Sequence, residues 1–334
     1  MLWFEMNGRD SDVVVSSRVR LARNLADYPF GGRLNDPSAK EIIEKVKGVF
    51  EGRDDYKFTD FASLDRITRS AEAARHKVSP EFAASDSPRA LIESDSKNTY
   101  IMVLEEDHIR IQSVMPGLAL EEALDAAFEA DGLIDSSLRV AYDEKLGYLT
   151  HCPTNLGTGM RASVMMFLPA LTYAGSMRSL QNGLGKIGLT IRGMDGEGSS
   201  ADGCLYQISN QVTLGTSEDE IVSKLSKIVE NIEEQERSLR EKLKEDDRFE
   251  DRVMRAYGTM MYATLVDTEE LTKLYTNVRL GVSLGLIENV TTRQLDEMLV
   301  CGMSGVLMSE NEKVRTPAQR DRARADMIRE KLAK

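Results

Sequence analysis

Strand-like segments joined by short polar turns indicate the fold class of this sequence. Residues 99–104 (TYIMVL) and 109–114 (IRIQSV) are predicted strands, and only Glu-Glu-Asp-His lies between them. So short a connection joins antiparallel neighbours, because parallel strands need a long crossover. Residues 138–142 and 146–150 are predicted to pair in the same way as a hairpin. We therefore expect a mostly antiparallel sheet.

Helical patterns surround and follow these strands. Apolar spacing or density predicts helices over 37–50, 118–131 and 161–181, and two further strands over 189–192 and 204–208. A capping box at Ser217 opens a long helix, and the chain is helical throughout from about residue 251. The predicted fold class is α+β. An antiparallel sheet flanked by helices forms a catalytic domain over residues 1–250, and a small C-terminal helical domain covers residues 251–334.

Composition excludes several classes of function. The 334 residues carry a net charge of −12, which disfavours nucleic acid as a partner. No apolar run approaches the roughly 20 residues that span a bilayer, and the first residues lack a secretory signal, so we expect no membrane association. Three widely spaced cysteines without C-x-x-C spacing fit the reducing cytoplasm, and three unpaired histidines argue against a metal centre.

A glycine motif at residues 183–188 (GLGKIG) matches the dinucleotide-binding pattern G-x-G-x-x-G. That pattern requires a strand before the glycines and a helix after them. Here a helical pattern precedes and a strand follows, so we interpret the motif as a helix-to-strand connection.

Residues 148–163 (YLTHCPTNLGTGMRAS) combine a lone cysteine, two closely spaced glycines and an arginine. A Gly-Thr-Gly turn can expose backbone N–H groups that hold an anion, and Arg161 can clamp a phosphate with two hydrogen bonds. Positive potential of this kind favours the thiolate form of Cys152. The alternative is a glycine-containing turn beside a buried cysteine and a surface arginine.

Arginines recur at strands and strand ends, where several could converge on one polyphosphate. They are Arg18, Arg20, Arg110, Arg161 and Arg192. Carboxylates that could face them lie in turns, at Glu105, Glu106 and Glu197. Each residue alone is more often a solvated charge. Together they suggest phosphoryl transfer to a guanidinium, because arginines neutralise phosphate and two carboxylates can grip a planar cation.

The same segments, in order, resemble the phosphagen (guanidino) kinases. They are SSRVR at 16–20, EEDHIR at 105–110, CPTNLGTGMR at 152–161 and RGMDGE at 192–197, and the resemblance covers roughly residues 12–250. It implies ATP and Mg²⁺ as cofactors. It assigns Glu106, Cys152 and Glu197 to catalysis and the following to nucleotide binding: Ser17, Arg18, Arg20, His76, Arg110, Arg161 and Arg192. The sequence departs from the family at Leu104, where the family usually has Asn, and at Asp195 and Gly198.

The remainder resembles the C-terminal domain of the bacterial protein-arginine kinases, in residues 251–258, 277–286 and 320–325. An R-D-x-x-R-A motif implies a phosphoarginine reader built from Arg320, Asp321, Arg324 and Ala325. The alternative is a charged terminal helix with local Asp–Arg pairs. Only about fifteen residues precede Ser16, where small-molecule phosphagen kinases have a helical domain that helps close the site. An open site of this kind could admit an arginine presented by another protein.

The resulting expectation is an ATP-dependent protein-arginine kinase that marks proteins for regulation or degradation. A kinase for free arginine and a non-catalytic phosphoarginine-binding regulator are the alternatives. The resemblance implies four kinds of partner: protein substrates with exposed arginines, a zinc-binding activator, a transcriptional repressor and a Clp protease. The apolar helices over 268–308 favour a homodimer.

Overall fold

A large antiparallel sheet is the centre of the molecule, which we describe from a computed structural model for residues 2–193 and 202–333. Its strands are β1 (Val14–Arg23), β2 (Lys57–Asp60), β3 (Ala90–Ser94), β4 (Thr99–Val103), β5 (Ile109–Pro116), β8 (Met160–Phe167), β9 (Leu189–Gly193) and β10 (Leu205–Asn210). Their order is β2-β3-β4-β5-β1-β8-β10-β9, and every neighbouring pair is antiparallel. A separate short ribbon pairs β6 (Tyr142–Asp143) with β7 (Gly147–Tyr148).

Helices cover the sheet and form the C-terminal part of the chain. They are α1 (Asp36–Phe50), α2 (Arg66–Ala74), α3 (Pro80–Ala84), α4 (Leu120–Ser137), α5 (Pro169–Tyr173), α6 (Met177–Lys186), α7 (Glu218–Leu243), α8 (Asp247–Tyr262), α9 (Thr268–Ser283), α10 (Thr292–Cys301), α11 (Ser304–Glu310) and α12 (Pro317–Leu332). Capping boxes begin three of them, at Ser217, Thr291 and Thr316. In the described parts of the chain, no helix is both long enough and apolar enough to cross a bilayer.

The predicted α+β class is confirmed, but one predicted helix is wrong. Residues 161–181 were expected to form a buried helix, whereas Met160–Phe167 is the central strand β8, followed by the short helices α5 and α6. β8 lies between β1 and β10 and is covered on both faces, with Val164 in one apolar cluster and Phe167 in another. Residues 160–164 (MRASV) alternate as in a strand, but residues 164–168 (VMMFL) form a continuous apolar run that fits a buried helix as well as a strand.

The predicted hairpin over 138–150 is present but shorter than expected. Only Tyr142–Asp143 and Gly147–Tyr148 pair as strands. The motif at 183–188 does connect a helix to a strand, since α6 ends at Lys186 and β9 begins at Leu189.

The two faces of the sheet are covered differently. One face packs on α1, α4 and α7 in the largest apolar cluster, which includes Leu21, Ile111 and Val164. The opposite face carries two smaller clusters. At one end, Tyr100 and Met102 pack with Val78 and Phe82 near α3, and at the other, residues such as Phe167 and Leu205 pack on the C-terminal helices. Between these clusters lies a part of the face that carries charged side chains.

Buried arginines fix the C-terminal helices to the rest of the molecule. Arg279 of α9 pairs with Asp296 of α10 (Nε to Oδ1, 2.9 Å) and donates to the carbonyls of Ser11 (2.8 Å) and Asp12 (3.0 Å). Arg240 of α7 donates to the same Asp12 carbonyl (3.0 Å). The turn before β1 is thereby bonded directly to α7 and α9, and through Arg279 to α10.

Candidate active site

The register of the central strands brings arginines from distant parts of the chain onto one face. Arg20 of β1 lies directly opposite Arg161 of β8 on one side and Gln112 of β5 on the other. Residues directly opposed in antiparallel strands share a face, and so do residues two apart in one strand. Arg18 therefore belongs to the same face, and Arg110 does too because it lies opposite Ala22.

Four of these guanidinium groups influence one another electrostatically. Burial, followed by repulsion from Arg110 and Arg161, lowers the pKa of Arg18 to about 10. Burial and the same neighbours, together with Arg18, hold the pKa of Arg20 well below its ordinary value. The buried Nε of Arg20 has no hydrogen-bond partner among the described residues. The fold thus holds several like charges together in a partly buried setting, as an anion-binding site requires.

Arg192 occupies the same face at the edge of the sheet. It lies opposite Gln207 of β10, which lies opposite Met165 of β8, and Met165 in turn lies opposite Ser16 of β1. Arg192 is therefore three strands from β1.

Ser17 points away from these arginines. Its buried hydroxyl donates to the Gly117 carbonyl (2.8 Å) and accepts from the N–H of Ala119 (3.0 Å). The resemblance assigns Ser17 to the nucleotide, but its side chain supports the turn before α4 and does not join the cluster.

The turn between β4 and β5 gives its two glutamates different surroundings. Glu105 accepts from Arg110 (2.5 Å) and Ser79 (2.8 Å). Burial alone would raise the pKa of Glu105, but Arg110, the N–H of Glu106, Ser79 and Arg20 together lower it. Glu106 is exposed at the tip of the turn, and partial desolvation and the Asp107 and Glu105 carboxylates raise its pKa. Glu105 is thus an ionised partner of the arginine cluster, whereas Glu106 has the raised pKa that suits a general base.

Leu104, which stands where the family usually has Asn, adopts an unusual backbone conformation. Its φ is 67°, in the left-handed region that Asn enters more readily than other non-glycine residues. Its N–H donates to the His108 carbonyl (2.8 Å), which closes the turn, and its side chain packs in the main apolar cluster. The turn therefore forms with Leu104, at the cost of backbone strain.

Asp107 connects this turn to the loop that contains Cys152. Its Oδ1 accepts from the backbone N–H of His151 (2.6 Å) and from the side chain of Asn24 (2.6 Å). Cys152 follows His151, is partly exposed, and has its Sγ 3.0 Å from Thr154 Oγ1. The connection places Cys152 beside the turn that carries Glu106.

The glycines after Cys152 are required for close approach of backbones. A Cβ on Gly157 (φ 110°) would lie 2.2 Å from the Thr213 carbonyl oxygen, and one on Gly159 (φ 62°) would lie 2.7 Å from that of Ala22. The N–H groups of Thr158 and Met160 donate to Thr213 O and to Thr158 Oγ1. The expectation that this turn offers its N–H groups to an anion is therefore wrong for these two residues.

Arg23 was not singled out from the sequence, although it positions this loop. It is fully buried, pairs with Asp131 (2.7 Å) and donates to the Thr158 carbonyl (3.1 Å). Its guanidinium carbon lies 3.4 Å from the centre of the Tyr148 ring. The sequence did contain a signal for this role. Side chains alternate between the two faces of a strand, so Arg23, three positions after Arg20, must point to the face opposite the arginine cluster.

His76 lies beside the arginine cluster. Burial and the charge of Arg18 lower its pKa to about 4, so the ring is neutral at pH 7. It stacks on Trp3 with ring centres 5.3 Å apart, and its φ is 61°. The indole N–H of Trp3 donates to the Arg75 carbonyl (3.3 Å).

Glu197, the second predicted guanidinium-gripping carboxylate, lies outside the described residues, as do Asp195 and Gly198. In residues 2–193 and 202–333, no group of three or more His, Cys, Asp or Glu side chains is arranged to hold a metal ion.

The R-D-x-x-R-A motif lies on α12. Arg324 is fully buried and donates to the carbonyls of Gly302 (2.7 Å) and Val266 (2.6 Å) and to Thr268 Oγ1 (3.0 Å). It also pairs with Asp321 (3.0 Å), whose side chain is partly exposed. Arg320 is half-buried and donates to the Arg315 carbonyl (2.9 Å), and Ala325 is buried. Arg324 therefore stabilises the helical region, and Arg320 and Asp321 are its accessible neighbours.

Two family models match the chain in succession. Residues 38–239 match the C-terminal catalytic domain of the ATP:guanido phosphotransferases, and residues 246–334 match the C-terminal domain of the protein-arginine kinase McsB.

Curated relatives match along the whole chain. A protein-arginine kinase of Brevibacillus brevis is 41% identical, with 99% of this chain and 94% of the relative aligned. A protein-arginine kinase of Clostridium acetobutylicum is 38% identical, with 99% of each chain aligned.

Solved structures of guanidino kinases share the fold. A lombricine kinase superposes with a TM-score of 0.59 at 24% identity, over 69% of this chain and 68% of that one. A duplicated taurocyamine kinase from Schistosoma mansoni gives 0.63 at 24% identity, over 80% of this chain and 40% of that one. With the full-length relatives and the family model that matches residues 38–239, these findings show that the chain belongs to the ATP:guanido phosphotransferase family, among its protein-arginine kinases.

Proposed function

We propose that this chain transfers the γ-phosphoryl group of ATP to arginine side chains of proteins. The observation that carries the proposal is the convergence of Arg18, Arg20, Arg110 and Arg161 on one face, next to the turn of Glu106 and the loop of Cys152. The full-length relatives named protein-arginine kinases support the choice of acceptor.

The arginine cluster has the properties of a polyphosphate site. Its charges repel one another in a half-buried setting, and the Nε of Arg20 lacks a partner among the described residues, so a phosphate chain would relieve both costs. We assign Arg192 to the binding of the same phosphates. We assign His76, which is neutral and stacked on Trp3, to the surroundings of the adenine ring. Mg²⁺, if it enters with the nucleotide, would supply positive charge that reduces the net charge of the phosphates.

Glu106 is the proposed base for the guanidinium. Its raised pKa and exposed position let it accept a proton from the incoming side chain. As that proton leaves, the guanidinium nitrogen forms its bond to the γ-phosphorus and the bond from phosphorus to the ADP oxygen breaks. Glu197 is the proposed second carboxylate, and Cys152 is proposed to act electrostatically on the guanidinium.

Acid-labile phosphate incorporation tests the proposal. The wild-type chain should transfer phosphate from ATP to a basic protein much faster than to free arginine, and Glu106→Gln should lower the rate at least about 100-fold. Equal rates on free arginine would favour the free-arginine kinase. Undiminished transfer by Glu106→Gln would contradict the assigned base.

A second proposed activity is phosphoarginine binding at Arg320, Asp321, Arg324 and Ala325. Arg320 and Arg324 lie one helical turn apart on α12, and Arg324 Nη2 also reaches Thr268 Oγ1 at the start of α9. Calorimetric titration with phosphoarginine should give at least tenfold weaker binding for Arg320→Ala. Arg322→Ala is the matched control, because Arg322 is exposed on the same helix between them. Equal affinity of Arg320→Ala and wild type would exclude this site.

We propose a catalytic domain over residues 1–250, a C-terminal helical domain over 251–334 that forms a homodimer, and a cytoplasmic location, which the free thiols Cys152, Cys204 and Cys301 support. A zinc-binding activator, a transcriptional repressor and a Clp protease are the proposed partners.

A further inference from the structure

Exposed apolar side chains are concentrated at one edge of the molecule. Of the eleven large apolar residues exposed in the described parts of the chain, five lie at this edge, in the ribbon β6–β7 and in the loops that flank β9 and β10. We call them the apolar edge strip: Tyr142, Leu146, Ile187, Val212 and Leu214. Exposed apolar side chains that are grouped in neighbouring segments mark an interaction site more often than isolated ones do.

The strip is held rigidly against the Cys152 loop. Thr213, between two members of the strip, is buried and donates through Oγ1 to the carbonyls of Thr154 (3.0 Å) and Leu156 (2.7 Å). Its own carbonyl accepts from the N–H of Thr158 (3.0 Å). The strip thus has a fixed position relative to the acceptor side of the site.

The ribbon β6–β7 fixes the other half of the strip. The N–H of Tyr148 donates to the Gly157 carbonyl (2.8 Å), and the ring of Tyr142 packs 5.3 Å from that of Tyr148. A Cβ on Gly147 would lie 2.4 Å from the Gly157 carbonyl oxygen, so the ribbon and the loop are in direct contact.

The strip lies within reach of a peptide whose arginine occupies the proposed site. The turn of Glu106 precedes β5, and residues 211–214 follow β10, at the same end of the sheet. Between β5 and β10 there are three strand spacings of about 4.8 Å, or about 14 Å in all. About four residues of extended chain cover that distance.

Charge near the strip favours a cationic partner. Carboxylates outnumber lysines along it: they are Asp143, Glu144, Glu218, Asp219 and Glu220, against Lys145, Lys186 and Lys224, whose Nζ donates to the Ile187 carbonyl (2.6 Å). A segment that contains arginine and apolar residues matches both features of this surface.

We propose that the apolar edge strip binds the part of a protein substrate that flanks the target arginine. The chain should accordingly prefer extended segments with an apolar residue within about four positions of that arginine. This inference rests on the proposed function and specifies its substrate class.

Two synthetic peptides test it, each with one central arginine. One has leucine three and four positions away on both sides, and the other has glycine there. The double variant Val212→Ser/Leu214→Ser should raise KM for the leucine peptide about tenfold, because apolar burial is lost. It should not change KM for the glycine peptide, KM for ATP or kcat. Leu265→Ser is the matched control: Leu265 is 52% exposed, close to Val212 (53%) and Leu214 (48%), but lies between α8 and α9.

Fluorescence anisotropy with a labelled leucine peptide and no ATP separates the two proposals. About tenfold weaker binding by the double variant, with Leu265→Ser unchanged, supports the strip. Equal dissociation constants for the wild type and the double variant would overturn it, whatever the kinase assay shows. Failure of the wild-type chain to phosphorylate either peptide or a basic protein would overturn the proposed function instead.

Discussion

Among single residues, the arginines of the cluster are expected to favour phosphate binding and to lower the stability of the fold. Arg20 is charged beside three other guanidinium groups and is partly withdrawn from water. Arg20→Met should therefore increase the free energy of unfolding by about 1 kcal/mol, because a desolvated, repelled charge is removed. Phosphoryl transfer should fall at least about 100-fold. Urea denaturation and the kinase assay measure the two effects, and a less stable variant would contradict the account of the cluster.

His76 should make stability depend on pH in the acidic range. Its pKa falls from 6.5 to about 4 on folding, so between these values the unfolded chain binds a proton that the folded chain does not. The free energy of unfolding therefore decreases as pH falls from about 6.5 to about 4.

His76→Asn should reduce that dependence. Asn accepts the left-handed backbone at this position, where φ is 61°, and does not titrate. Thermal unfolding at pH 4.5 and pH 7.5 compares the two proteins. If the difference in melting temperature between these pH values is the same in the variant and the wild type, the burial of a neutral His76 is wrong.

At the scale of elements, the Cys152 loop depends on two backbone approaches. Gly157→Ala introduces a Cβ that would lie 2.2 Å from the Thr213 carbonyl oxygen, so the loop must shift and Cys152 with it. We expect kcat to fall at least about tenfold, since small misplacements at an active site are costly.

Gly175→Ala is the control for this substitution. Gly175 also has a positive φ, of 68°, but nothing lies within 4 Å of the position of its Cβ. It should lose about 1 kcal/mol of stability from backbone strain and retain full kcat. If both variants lose activity equally, close packing of the loop is not what positions Cys152.

The elements that the sequence predicted well have local signals. The capping box predicted at Ser217 begins α7, and the two-residue spacing of Arg18 and Arg20 predicts their common face. β8 was missed because its second half, residues 164–167, is a continuous apolar run, which no period distinguishes from a helix. Asp107 and Arg23 were missed because their partners, His151 and Asp131, are distant along the chain.

At the scale of the whole molecule, Arg279 joins the C-terminal helices to the turn before β1. Arg279→Ala would leave the Asp296 carboxylate without its cation and remove the bonds to Ser11 and Asp12. We expect a loss of about 3–5 kcal/mol in the free energy of unfolding. Arg255→Ala is the control, because Arg255 pairs with Asp251 on an exposed helix surface (2.7 Å), where a pair contributes about 0.5 kcal/mol or less.

Two probes distinguish a local effect from a global one in this comparison. Trp3 fluorescence reports on the N-terminal segment that packs with the C-terminal helices, and far-ultraviolet circular dichroism reports on the whole chain. Coincident transitions are expected for wild type and Arg255→Ala. If the urea concentration at the midpoint of unfolding is the same for Arg279→Ala and the wild type, Arg279 does not hold the C-terminal helices to the turn before β1.

Asp107 Oδ1 accepts hydrogen bonds from the N–H of His151, which precedes Cys152, and from the side chain of Asn24, which follows β1. Asp107 itself directly follows Glu106, the proposed general base. The positions of the Cys152 thiol and the Glu106 carboxylate are consequently coupled, so that a shift of one is expected to move the other. Substitutions at the two positions should combine non-additively, and an engineer who wishes to change the acceptor would have to redesign both at once.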